Sequence, residues 1–163
     1  MTFVCNAGPV IALAKIDRLS LLRELASSVL IPETVFHEVL AKPSLDASRI
    51  LSASRSFLNV RSSPETIDPS VQFVSRHLDA GEREVIALAS SIPAPVTVVL
   101  DDAAGRRVAS RLGLPLLGFV GLLLLAKQCQ QIAAVMPFVE QARNHGYWLS
   151  DEILEIAKSL AGE

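Results

Sequence analysis

The chain has 163 residues, of which 50% are hydrophobic, 20% charged and 5% aromatic, with a formal net charge of −2. That length and apolar content suit one domain with a full core and exclude a disordered chain. Two cysteines, Cys5 and Cys129, cannot build a disulfide framework, and the mildly acidic balance excludes a uniformly basic nucleic-acid coat.

Short apolar runs alternate with helical patterns along the whole chain. Phe3–Cys5 predicts a first strand, followed by helical sequence from Pro9 to Leu25 that breaks near Asp17 and Arg18. Val29–Ile31 predicts a second strand, and the helix from Pro32 to Ala41 starts on a proline suited to a first turn. Lys42 to Ser75 is rich in serine and proline and predicts a mobile helical or loop segment around a strand at Phe57–Val60. A helix over Gly81–Ser90, a strand over Val96–Leu100 and a helix over Ala103–Leu112 follow. Next come a strand at Leu114–Leu117 and a helix over Gly121–Gln130. The chain closes on a helix over 150–163, with Ser150 as N-cap and Asp151 and Glu152 in its first turn. Leu154, Ala157 and Leu160 share one side of it. Such alternation argues for a single α/β domain, a parallel sheet of four or five strands covered by helices on both faces.

The most apolar stretch, Leu112–Ala126, is interrupted by Gly113, Pro115, Gly118 and Gly121 and falls short of the roughly 20 residues a spanning helix needs. There is no basic N-terminal region, and the apolar run Pro9–Leu13 is too short for a signal peptide. The expectation is a cytoplasmic protein with no membrane partner.

Ligands of such sheets gather outside the carboxyl ends of the strands. Asn6 follows the first strand there, and Asp101 and Asp102 follow the fourth, so distant parts of the chain converge on one rim. In the helix from Gly81, Glu82 falls on the apolar stripe of Val85, Ile86, Leu88 and Ala89, whereas Arg83 and Glu84 point away. An inward carboxylate is costly unless it is paired, hydrogen-bonded or bound to a cation. Glu38 lies at the edge of its own helix's apolar stripe, a weaker signal. Each residue has an ordinary alternative: a first-turn acid for Glu82, an N-cap for Asp102, a turn residue for Asn6, a solvated residue for Glu38. The joint pattern favours function.

Clustered oxygen donors without histidine or cysteine select hard cations, Mg²⁺ or Mn²⁺, able to activate a water and stabilise the leaving oxygen of a phosphodiester displacement. His37, His77 and His145 show no metal spacing, and no nucleophile motif, P-loop or dinucleotide-type glycine loop is present. Zinc and P-loop chemistry are therefore disfavoured, as is a simple nucleotide-binding domain. A polyanionic substrate beside carboxylates needs nearby cations, and Lys15, Arg83, Arg106, Arg107, Arg111 and Lys127 are the candidates for phosphate contacts. Tyr147 and Trp148 are adjacent near the C-terminus and are expected to pack a terminal helix rather than to stack bases.

The ordered set of motifs resembles the PIN-domain family over nearly the whole chain. It comprises Val4-Cys5-Asn6-Ala7-Gly8-Pro9-Val10-Ile11-Ala12-Leu13-Ala14-Lys15, Leu30-Ile31-Pro32 with Val35-Phe36-His37-Glu38-Val39, and Leu78-Asp79-Ala80-Gly81-Glu82-Arg83-Glu84-Val85-Ile86-Ala87-Leu88-Ala89. Leu100-Asp101-Asp102 with Arg106 and Arg107 completes it, together with Gly113-Leu114-Pro115, Leu117-Gly118, Leu124 and Ala126-Lys127. The set is similar to a prokaryotic branch related to VapC-type toxins.

The resemblance implies a three-layer α/β/α nuclease whose four acidic positions fall on Asn6, Glu38, Glu82 and one of Asp101 or Asp102. It implies a Mg²⁺ or Mn²⁺ cofactor, RNA as substrate, a homodimer and, for a toxin, a small antitoxin covering the site. The first position is usually aspartate in the family, so Asn6 leaves the site one negative charge short. A catalytically weak PIN-like module that binds RNA or a protein partner is the alternative.

Overall fold

Five short apolar runs become the strands of one sheet in a computed structural model that describes residues 1–93 and 95–163. They are β1 (Thr2–Cys5), β2 (Ser28–Pro32), β3 (Leu58–Arg61), β4 (Val96–Val99) and β5 (Leu116–Leu117). The spatial order is β3-β2-β1-β4-β5, and every pairing is parallel. Parallel strands are covered on both faces, which is why β4 is buried at every residue and β1 at all but its first.

The helices are α1 (Ala7–Lys15), α2 (Ser20–Leu25), α3 (Glu33–Leu40), α4 (Leu45–Ser54) and α5 (Pro69–Ser75), then α6 (Ala80–Ser91), α7 (Ala103–Arg111), α8 (Phe119–Gln128), α9 (Met136–Asn144) and α10 (Asp151–Ala161). The chain leaves β1 towards β2 in one direction and β4 towards β5 in the other. Right-handed crossovers then place α1 and α7 on opposite faces. Packing follows suit: α1, α8 and α9 lie together, while α5, α6 and α7 enclose a smaller cluster of Val71, Leu78, Ile86, Val108 and Ala109.

The expected α/β/α architecture is present, with differences at the boundaries. Helical sequence from Pro9 to Leu25 forms two helices, because Asp17 adopts a left-handed conformation (φ 55°) that ends the first. Residues 42–75, expected as a mobile helical or loop segment, hold α4, β3 and α5. Ser44 caps α4 by accepting from Ala47 N at 3.0 Å, and Ala47, Ile50 and Ala53 are buried on that helix, which packs on α1. The last strand is shorter than Leu114–Leu117, and α8 begins two residues earlier than Gly121, at Phe119. Helix α9 was outside the expected elements. Ser150 caps α10 as expected, but Leu160 is 67% exposed, so the buried side runs through Leu154, Ala157 and Ala161. Among the described residues no helix is long and apolar enough to cross a membrane.

Candidate functional site

Strands β1 and β4 are neighbours whose outgoing connections diverge, and the crevice between those connections is where open parallel sheets hold ligands. Register sets Cys5 level with Val99, and Asn6 N donates to Val99 O at 2.9 Å, so Asn6 stands beside the turn that carries Asp101 and Asp102. Asn6 occupies the N-cap of α1 in an extended conformation, yet its side chain makes no capping bond. Its amide is left to serve something else.

The two aspartates face apart. Asp101 is half-buried, and both its oxygens are engaged: Oδ1 accepts from Phe119 N at the start of α8 (3.0 Å) and Oδ2 from the Tyr147 hydroxyl. Burial pushes its pKa upwards against the opposing pull of Tyr147, Phe119 and Arg106. Burial, then the neighbouring Asp101, pushes the Tyr147 hydroxyl up as well, so it stays a donor. Gly118 lets this unit close. A Cβ at Gly118 would collide with Asp101 Oδ1, and one at Gly8 would meet the Tyr147 hydroxyl at 3.4 Å. Gly118→Ala is therefore expected to displace Asp101 and cost about 1–3 kcal/mol of stability, read by denaturant unfolding.

Asp102 is exposed and turned the other way. Its Oδ1 accepts from Ala104 N (2.7 Å) and Gly105 N (3.0 Å), capping α7. The amides of Gly105 and Ala104, the Glu82 carboxyl and Arg107 hold its pKa below the ordinary carboxylate range. Glu82, in the first turn of α6, is only 7% exposed and brings its carboxyl within hydrogen-bonding reach of Asp102. Burial first, then Asp79, then Asp102, raises its pKa to about 7. The inward orientation expected for Glu82 is the one observed.

Asp79 was not among the candidates. It caps α6, accepting from Glu82 N at 2.8 Å. The Asp-x-x-Glu spacing at a helix start is the signal that would have found it. Glu38, exposed on α3, turns to the same helix end: its Oε2 lies 3.3 Å, and Asp79 Oδ1 3.6 Å, from where Gly81 would carry a Cβ. Glu38, Asp79, Glu82 and Asp102 thus line the start of α6 and the turn beside it.

Among the described residues, no three His, Cys, Asp or Glu side chains stand close enough to hold a metal ion by themselves. The amide oxygen of Asn6 falls outside those residue types. Two carboxyls that meet, as Glu82 and Asp102 do, need a proton or a cation between them. Two carboxylates and an amide oxygen are donors of the right hardness for Mg²⁺ or Mn²⁺, which keeps several waters and needs few protein ligands. The residues present fit such an ion.

The expected cations divide by position. Arg107 and Arg111 are exposed and lie on one side of α7, four residues apart. Arg83 is exposed beside Glu82. Arg106 turns inward, donating to Leu100 O at 3.0 Å near Asp101, so it braces the rim instead of facing solvent. Lys15 does not reach the rim. It lies at the far end of α1, about 13 Å along the axis from Asn6, paired with Asp46 at 3.2 Å. Lys127 pairs with Glu163 at 2.6 Å and donates to Ala161 O, holding the last helix.

Two further expectations change. Glu84, placed facing away, is half-buried: Oε1 accepts from Thr34 Oγ1 at 2.8 Å, while Oε2 is buried without a partner. It tethers α6 to α3. Tyr147, expected to pack a terminal helix, is instead part of the rim, its ring edge-on to Phe119 at 5.4 Å. Trp148 next to it is 81% exposed.

Compared with known families, residues 2–163 match a model described as a PIN domain. No curated protein matches the chain.

Proposed function

The chain belongs to the PIN-domain family, and on that premise we propose that it hydrolyses RNA phosphodiester bonds with Mg²⁺ or Mn²⁺. PIN domains are nuclease-type proteins that in general depend on divalent metal ions. The observation that carries the reading is the meeting of Glu82 and Asp102 beside Asn6 at the diverging connections of β1 and β4.

In this reading Asn6, Glu82 and Asp102 hold the cation. When bound, it supplies activation of a water and neutralisation of charge on the phosphate. Asp101 is a positioning residue, since Tyr147 and Phe119 occupy both its oxygens. Glu82, with its pKa at about 7, can accept or release a proton at a carboxyl oxygen near neutral pH. Asp79 and Glu38 add negative charge at the same helix end. Arg107 and Arg83 are exposed near the carboxylates and meet phosphates beside the scissile bond, while Arg111, at the far end of α7, meets the strand only further along. Resemblance to VapC-type toxins extends the reading to a cytoplasmic toxin that works as a homodimer under a small antitoxin. Exposed Ile156 and Leu160 on α10 offer such a protein contact an apolar face.

Asn6 favours one second reading, a module that binds RNA and cuts it weakly. Asn6→Asp decides between the two. The added carboxylate is expected to raise Mn²⁺ affinity by about ten-fold or more, measured by calorimetry. Cleavage of a mixed RNA pool by both forms supports the nuclease; cleavage by Asn6→Asp alone makes the natural protein a weak binding module. If neither form binds metal, the metal site is wrong.

A further inference from the structure

Trp148 is the only tryptophan of the chain, and the residue is 81% exposed. The backbone that carries it is pinned on both sides. Tyr147 donates its hydroxyl to Asp101 and packs against Phe119, while Leu149 is buried in the core. Gly146, at φ 81°, turns the chain out of α9 into this loop. The Tyr147 hydroxyl also comes within 3.4 Å of the space a side chain at Gly8 would fill, which sets the loop over the start of α1. The indole therefore starts one residue, about 3.8 Å along the Cα trace, from a side chain that touches the rim of the site. A large apolar ring held out in water by a fixed backbone is a preformed contact surface: it loses little freedom on meeting a partner.

We propose that Trp148 is a stacking platform for an unpaired base of a single-stranded nucleic acid whose backbone runs past Asn6, Glu82 and Asp102. The proposal rests on the nuclease reading above and adds a substrate contact to it. Any base offers a π-face to an indole, so the contact tolerates sequence, whereas a base stacked and paired inside a duplex has no face free. Single strands are thus preferred over duplexes of the same sequence. Exposed Arg107, in the second turn of the helix that Asp102 caps, supplies charge that a stacked strand needs along its backbone.

The single tryptophan makes its own reporter. The metal-free 163-residue chain is titrated with labelled oligouridine, following anisotropy of the label and tryptophan emission together. Emission is expected to quench in step with binding, and Trp148→Ala to weaken binding about ten-fold, with Trp148→Phe within about three-fold of wild type. Thermal unfolding of Trp148→Ala stays at the wild-type midpoint, because the ring packs on little. With Mn²⁺ present the variant raises KM and leaves kcat within about two-fold. Binding of oligouridine with unchanged emission overturns the stacking and leaves the nuclease reading standing. Quenching without any cleavage in Mn²⁺ does the reverse. An emission shift on raising protein concentration without RNA overturns the proposal in favour of a contact between copies, and equal binding of a duplex overturns it as well.

Discussion

Glu82→Gln is expected to make the metal-free protein more stable at pH 8 and to abolish cleavage. The carboxyl is buried next to Asp79 and Asp102, and its pKa stands at about 7, against an ordinary value of 4.5. Between those values the folded chain retains a proton that the unfolded chain has released. Stability therefore falls as pH rises from about 4.5 to about 7 and levels off above, by up to about 3 kcal/mol. Asp102 has the opposite sign, since its pKa is lowered, but its contribution is lost only as pH falls below the ordinary aspartate value of 3.8. The two windows do not overlap. Glutamine keeps the shape, removes the charge and should flatten the slope between pH 5 and pH 8, a gain of about 1–3 kcal/mol at the upper end. Denaturant unfolding of both forms in chelator measures it. Mn²⁺ at pH 8 should restore stability to the wild type and leave the variant unmoved. A wild type equally stable at pH 5 and pH 8, with a variant indistinguishable from it, would sink the assignment.

The two aspartates are expected to fail in different ways. Asp102→Asn retains an oxygen that can cap α7, and asparagine caps helices about as well as aspartate, so stability should change by less than about 0.5 kcal/mol. Cleavage should fall at least about a hundred-fold, because the carboxylate that meets Glu82 is gone. Asp101→Ala leaves a half-buried phenol and the first amide of α8 without acceptors, at a cost of about 2–4 kcal/mol. Its activity per folded molecule, measured well below the melting midpoint, should fall much less than that of Asp102→Asn. The reverse pattern would make Asp101 the ligand and Asp102 only a cap.

The strands, the starts of α7 and α10 and the convergence of Asn6 with Asp101 and Asp102 were legible because they are local. Short apolar runs and capping residues name the elements, and the parallel sheet brings their carboxyl ends to one edge. Glu82 was legible through helical periodicity, which places it on the stripe with Val85 and Ile86. What was not legible depends on partners far along the chain. Tyr147 reaches Asp101 across 46 residues, and Lys15 is taken up by Asp46, in a segment whose serines and prolines suggested a mobile helical or loop segment. Periodicity likewise sent Glu84 outward, since it cannot foresee that Thr34 on α3 waits there.

Tyr147, Asp101 and Gly118 make a lock in which no member changes without cost to the others. A side chain at Gly118 needs the room that Asp101 now fills, and a shorter residue in place of Asp101 would strand the phenol. Anyone reshaping the crevice, by directed evolution or by design, must cross several residues in one step. Drift through single substitutions should leave this trio intact.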